Sequence, residues 1–169
     1  MAHIVLLGDS IFDNSPYTNG GPAVISQVTD ELPFGWDATL LAVDGAVIKD
    51  VEKQLSKIPS NATDLVISVG GNDALGEAGV LQLRTGNAFS ALAKITKDFK
   101  ANYERMLKKC IKTGFPITLC TIYNGWFEEN GGLIIGSTFN KYCWITLRKL
   151  PPFFDHKSRV VYSKIESVK

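Results

Sequence analysis

Apolar residues fall along this chain in short unbroken runs, separated by stretches in which they recur every three or four positions. That is the pattern of buried strands alternating with amphipathic helices. Ile4-Val5-Leu6-Leu7 is the first run. It leaves no polar face, which predicts a strand covered on both sides, as in the middle of a parallel sheet. Gly8 ends it, so Asp9 and Ser10 stand just beyond its carboxyl end. Ile11 to Gly20 holds Asp13, Asn14, Pro16 and Asn19, turn formers too dense for a strand or helix, and reads as a loop rimming that end. Pro22 suits the first turn of a helix, and Val24, Ile25, Val28 and Leu32 recur at helical spacing before Pro33 and Gly35. Ala38 to Val43 is a second apolar run that ends at Asp44-Gly45. Val47, Ile48, Val51, Leu55 and Ile58 then trace a second amphipathic helix, closed by Pro59.

Asp64 to Val69 predicts a third strand, β-branched and apolar, ending in Gly70-Gly71-Asn72-Asp73. Leu92, Ile95, Phe99, Tyr103, Met106 and Cys110 predict the longest helix, stopped by Gly114 and Pro116, and Ile117 to Tyr123 a fourth strand. Strand, loop and helix alternating three times demand right-handed crossovers and a parallel sheet with helices on both faces. The expected fold is therefore α/β, a three-layer αβα domain of four or five strands spanning 1–169. The last 40 or so residues are less regular: Asn130-Gly131-Gly132 reads as a turn, Ile134 to Leu150 as a helix closed by Pro151-Pro152, and Val160-Val161-Tyr162 as a short fifth strand. No amphipathic helix follows, so some sheet face is expected to stay open or to be covered by another copy of the chain in a homo-oligomer.

Composition narrows the chemistry only a little. With 45% hydrophobic and 21% charged residues and a net charge of +1, this is the balance of an ordinary soluble domain, and nothing in it points to nucleic acid. No apolar run approaches the ~20 residues of a membrane span, and the N-terminus lacks the basic start and apolar stretch of a signal peptide, so a cytoplasmic location is expected. Cys110, Cys120 and Cys143 are odd in number and without CxxC spacing, which argues for small core residues over disulfides or zinc. Trp36, Trp126 and Trp144 read as packing residues, although Trp126, after the fourth strand, is placed where it could line a pocket.

Three strand ends carry small or polar residues: Gly8-Asp9-Ser10, Asp44-Gly45 and Gly70-Gly71-Asn72-Asp73. In a parallel sheet they lie on one edge, where open α/β sheets place their ligands. A serine there is a candidate nucleophile, provided that a base and oxyanion donors stand near it. Asn72 offers a side-chain N–H, and Gly45 and Ser10 offer main-chain N–H groups. The plainer reading makes Ser10 a loop serine, Gly45 and Gly70 turn glycines, Asn72 an Asx turn, and Asp9 and Asp73 braces for loop backbone.

At these three stretches the sequence resembles the SGNH hydrolases, the GDSL esterase and lipase family. Gly8-Asp9-Ser10 matches the first family block, Gly45 the glycine of the second, and Gly70-Gly71-Asn72-Asp73 the Gly-x-Asn-Asp of the third. The resemblance covers roughly the first 125 residues. It implies a flavodoxin-like sheet and a serine esterase without metal or organic cofactor, acting on a small-molecule ester. Ser10 would be the nucleophile, and Ser10, Gly45 and Asn72 the oxyanion hole.

The family's fourth block, Asp-x-x-His, is not in the sequence. His3 begins the first strand, at the opposite end from Ser10, which leaves His156 as the candidate base. His156 follows Asp155 directly, so the usual presentation of a carboxylate to its ring is lost, and among Asp155, Lys157 and Arg159 it reads equally as a surface histidine. Ser163-Lys164-Ile165-Glu166-Ser167 is similar to a stretch some members carry before their last helix; on that alignment Val161 and Lys164 fall at the dyad positions. A divergent member and a C-terminally altered reading frame both fit. Two functions stay open: an ester hydrolase with an acyl-enzyme on Ser10, and a catalytically impaired scaffold that binds a ligand or partner. A flavin or nucleotide binder is disfavoured, because no P-loop and no GxGxxG follows any strand.

Overall fold

A computed structural model of the 169-residue chain describes residues 1–77, 88–122 and 159–161, the backbone alone at 88–89 and 159–161. The readings for 130–150, and those for Trp126, Cys143, Trp144, His156 and Lys164, lie outside the described residues.

The elements run β1 (His3–Gly8), α1 (Val24–Glu31), β2 (Asp37–Leu40), a 3₁₀ turn (Ile48–Asp50), α2 (Val51–Leu55), β3 (Asp64–Ser68), α3 (Gly71–Gly76), α4 (Ala88–Lys112), β4 (Ile117–Cys120) and β5 (Arg159–Val161). The five strands form one sheet in the order β2-β1-β3-β4-β5, every pair parallel. This is the flavodoxin-like order, whose direction of winding switches between β1 and β3.

Side chains alternate across the sheet and sort into two cores. Val5, Leu7, Leu65, Ile67, Ile117 and Leu119 face α2 and α4 in the larger one, with Val51, Phe99, Tyr103, Met106 and Leu107 opposite them. Phe99 and Tyr103 stack with ring centroids 5.8 Å apart. Each of the fully buried aliphatic side chains contributes roughly 2 kcal/mol. On the other face Leu6, Phe12 and Ala42 are buried, and Val24, Ile25 and Val28 of α1 pack with them, only partly covered. Helices thus lie on both faces, as the alternation of elements predicts.

Four elements differ from the sequence pattern, one of them β4, which ends at Cys120, short of the expected Ile117–Tyr123 run. The strand expected over Ala38–Val43 ends at Leu40, because Leu41 and Ala42 both donate to the Leu6 carbonyl at 2.9 Å. Two residues opposite one make a bulge, which turns the chain out of the ladder. The helix expected from Val47 to Ile58 is a 3₁₀ turn and a five-residue helix, and Lys57 and Ile58 return to the tighter i→i+3 pattern before Pro59. Gly70-Gly71-Asn72-Asp73, read as a strand-end loop, opens α3. Two glycines hide that start from a propensity reading, yet Gly70 at φ +113° caps it and its carbonyl accepts the Ala74 N–H at 3.1 Å. Trp36, read as a packing residue, is 45% exposed where the chain enters the edge strand β2.

Gly8 is fixed by space as well as by conformation. Its φ is +128°, and a Cβ there would stand 1.7 Å from the Ser68 carbonyl oxygen. Gly8→Ala is therefore expected to cost about 3 kcal/mol or more, backbone strain and overpacking together. Urea unfolding of the variant beside the wild type measures it, and a loss below ~1 kcal/mol would contradict this packing.

Candidate active site

Every sequence-predicted candidate within the described residues lies on the carboxyl edge of the sheet, after β1, β2 or β3. Asp9 is buried and Ser10 half-buried at the end of β1. The Asp9 N–H donates to the Ser68 carbonyl at 3.1 Å, tying the β1 exit to β3. The Asp9 carbonyl accepts the N–H groups of Phe12 and Asp13, and its Oδ1 accepts that of Ile11. Ser10 therefore sits on a tight turn closed on both sides. Gly45 is exposed on the loop after β2, at φ +75°, with open space where a side chain would be. Asn72 and Asp73 occupy the first turn of α3, half-buried.

Side chains, more than the sheet itself, draw these loops together. The Val43 N–H donates to the Gly8 carbonyl, and the Asp44 N–H to Asp13 Oδ2 at 2.9 Å, joining the β1 and β2 loops. The Tyr17 hydroxyl donates to Asp44 Oδ2 at 2.6 Å across the same gap, which raises the phenol's pKa. Asn72 Nδ2 donates to the Ala46 carbonyl at 2.9 Å, and the Ile48 N–H to Asp73 Oδ2 at 2.9 Å, joining the β2 and β3 loops. The Asn72 bond uses one of its two amide hydrogens. Among the described residues, no hydrogen bond uses the N–H of Ser10 or Gly45.

The electrostatics are acidic. Burial, with smaller contributions from Asp73 and Asp44, pushes the Asp9 carboxyl up to about 6 against the Ile11 hydrogen bond that lowers it. Burial also raises Asp73. The thiols of Cys110 and Cys120 are pushed up by burial as well, Cys110 to about 12, so neither is an activated nucleophile. Among the described residues, no group of three or more His, Cys, Asp or Glu side chains is placed to hold a metal ion. A cavity of about 440 Å³ lies between α3 and α4, walled by Val47, Lys49, Asn72, Asp73 and Phe99 among others.

His3 stands at the other end of β1, buried, its Nε2 2.7 Å from Thr39 Oγ1 and far along the strand from Ser10. His156 lies outside the described residues. Val161 is the last residue of β5, in register with Cys120.

One residue at this edge had no role in the motif reading. Gln54 of α2 is 4% exposed, with Oε1 2.7 Å from the Gly8 N and Nε2 2.8 Å from the Gly8 O. Its signal is in the sequence: it stands three residues after Val51 and four before Ile58, a polar residue on the apolar face of that helix.

The comparisons agree with this architecture. No protein-family model and no curated protein sequence matches the chain. Solved structures do. An extracellular lipase from Streptomyces rimosus superposes with a TM-score of 0.62 at 17% identity, over 96% of this chain and 80% of that one. The SGNH-hydrolase family esterase AlinE4 gives 0.63 at 17% identity, over 95% and 75%. A member of the lipolytic G-D-S-L family from Veillonella parvula gives 0.62 at 15% identity, over 96% and 78%. The chain has the SGNH-hydrolase fold. Among the described residues, no helix is long and apolar enough to cross a membrane.

Asp9 gives stability a defined pH dependence. Folding raises its pKa from 3.8 to about 6, so between those values the native state keeps a proton that the unfolded chain has lost. Stability therefore falls as pH rises through that window and levels off above it. Asp9→Asn keeps the acceptor for Ile11 and removes the charge. Its stability relative to wild type is expected to rise by up to ~3 kcal/mol between pH 4 and pH 7, read from urea midpoints. A difference constant with pH would contradict the burial of this carboxyl.

Proposed function

We propose that this protein is a serine ester hydrolase acting on small or medium acyl esters. Ser10 Oγ attacks the ester carbonyl, and the N–H groups of Ser10 and Gly45 with the Asn72 side chain receive the oxyanion. The alcohol leaves, and water then hydrolyses the acyl-enzyme. His156 is the base in this reading. The observation that supports it most is the cross-bonding of the three strand-end loops. Asn72 is anchored on Ala46, next to Gly45, while the Ser10 and Gly45 N–H groups are unspent among the described residues. The fold of known esterases and lipases, and the match of all three stretches to the family blocks, support it further.

Each oxyanion donor is worth about 3 kcal/mol in the transition state when water is excluded. Purified protein is expected to hydrolyse p-nitrophenyl acetate, Ser10→Ala to lose that turnover, and Asn72→Ala to lose roughly a hundredfold in kcat. Equal rates for wild type and Ser10→Ala would remove Ser10 from the mechanism. His156→Ala at the wild-type rate would leave Ser10 in place and reject His156 as its base.

The missing Asp-x-x-His favours a second reading, a scaffold that binds an acyl or sugar ligand without turning it over. No hydrolysis and no labelling of Ser10 by a fluorophosphonate, with thermal stabilisation by such a ligand, would select it.

A further inference from the structure

Gly8 is where β1 must stop and the nucleophile turn begin; its carbonyl still accepts the Val43 N–H at 3.1 Å, but among the described residues no main-chain carbonyl accepts its own N–H. β2 has left the sheet at Leu40, so the strand beside Gly8 offers no carbonyl to its N–H. Gln54 supplies one. A primary carboxamide presents a C=O and an N–H side by side, as a neighbouring strand would. Both are used on one residue, Oε1 accepting the Gly8 N–H at 2.7 Å and Nε2 donating to the Gly8 carbonyl at 2.8 Å. Gln54 is held in turn: α2 packs on β1 and α4, and Glu52 pairs with Lys109. With Ser68 against Gly8 and the Asp9 N–H on the Ser68 carbonyl, both residues before Ser10 are tied to β3 as well.

We propose that Gln54 is the positioning residue of the nucleophile turn, a side-chain splint that sets the direction in which Ser10 leaves the sheet. The inference rests on the ester-hydrolase reading of Ser10. Gln54 touches neither substrate nor Ser10, so its effect is on reaction geometry, where misplacement by an ångström is costly, and not on substrate affinity.

Gln54→Leu and Gln54→Glu, with Ser10→Ala as control, test it by p-nitrophenyl acetate kinetics beside thermal unfolding. Gln54→Leu is expected to lower kcat by roughly tenfold to a hundredfold with KM within about twofold of wild type. Gln54→Glu gives a readout that loss of packing would not. As a neutral acid it can accept the Gly8 N–H and donate to the Gly8 carbonyl, whereas as a carboxylate it sets two acceptors face to face. Its kcat relative to wild type is therefore expected to be highest near pH 5 and to fall about tenfold by pH 8. Of the titratable groups near α2, Lys49, Asp50, Glu52, Lys53 and Lys109 are common to both proteins, whereas Asp9, next to Gly8, couples to a carboxylate at position 54, so the ratio is read in the Asp9→Asn background as well.

Wild-type kcat in folded Gln54→Leu beside an inactive Ser10→Ala overturns the inference and leaves ester hydrolysis standing. Should Gln54→Leu not fold, a pH-independent ratio for Gln54→Glu overturns it equally. No turnover by the wild type, or the same turnover in Ser10→Ala, overturns the ester-hydrolase reading and the inference with it.

Discussion

The close approach of β1 to β3 at Gly8 and Ser68 is the constraint on which the rest of the structure depends. A side chain at residue 8 would stand 1.7 Å from a carbonyl oxygen, so the strand can twist out of the sheet at that point only as glycine. The Asp9 N–H then bonds back to the same carbonyl, and the Asp9 carbonyl closes the next turn on Phe12 and Asp13. The position of Ser10 follows from these contacts together with the two from Gln54. Because β1 and β3 are the strands between which the winding reverses, this turn opens into the crevice where such sheets hold ligands.

The other two loops are fastened to that turn mostly by polar side chains, and the fastening has an electrostatic cost. Asp9, Asp13, Asp44 and Asp73 each work as acceptors for backbone N–H or hydroxyl groups within the same edge. Such bonds favour the charged forms, while burial at Asp9 and Asp73 favours the neutral ones, and burial prevails at both. Acidity of the edge and its rigidity come from the same residues.

Much of the fold was legible because the large core is built from unbroken apolar runs. Ile4–Leu7, Asp64–Val69 and the helix through Phe99, Tyr103 and Met106 could be assigned from pattern alone, and with them the parallel sheet. Boundaries were lost where a local interaction outweighed the pattern: the bulge at Leu41-Ala42 shortened β2, and Gly70-Gly71 concealed α3. The positions of Ser10, Gly45 and Asn72 at strand ends could be read, since glycine and polar residues follow apolar runs there. The place of Gln54 on the apolar face of its helix could be read from spacing, but its partner Gly8 could not, because that bond depends on where β2 ends. Tyr17 and Asp13 were hidden for a related reason, since both bond Asp44, 27 and 31 positions away in the chain.

The central claim is that three loops converge to hold negative charge opposite the Ser10 hydroxyl. A crystal structure of the protein after reaction with an alkyl fluorophosphonate tests it most directly, since the phosphonyl oxygen stands where the oxyanion would. The account predicts phosphorus bonded to Ser10 Oγ, with that oxygen within hydrogen-bond distance of the Ser10 N, the Gly45 N and Asn72 Nδ2. A phosphonyl oxygen turned away from both Gly45 and Asn72, or an adduct on another residue, would contradict it.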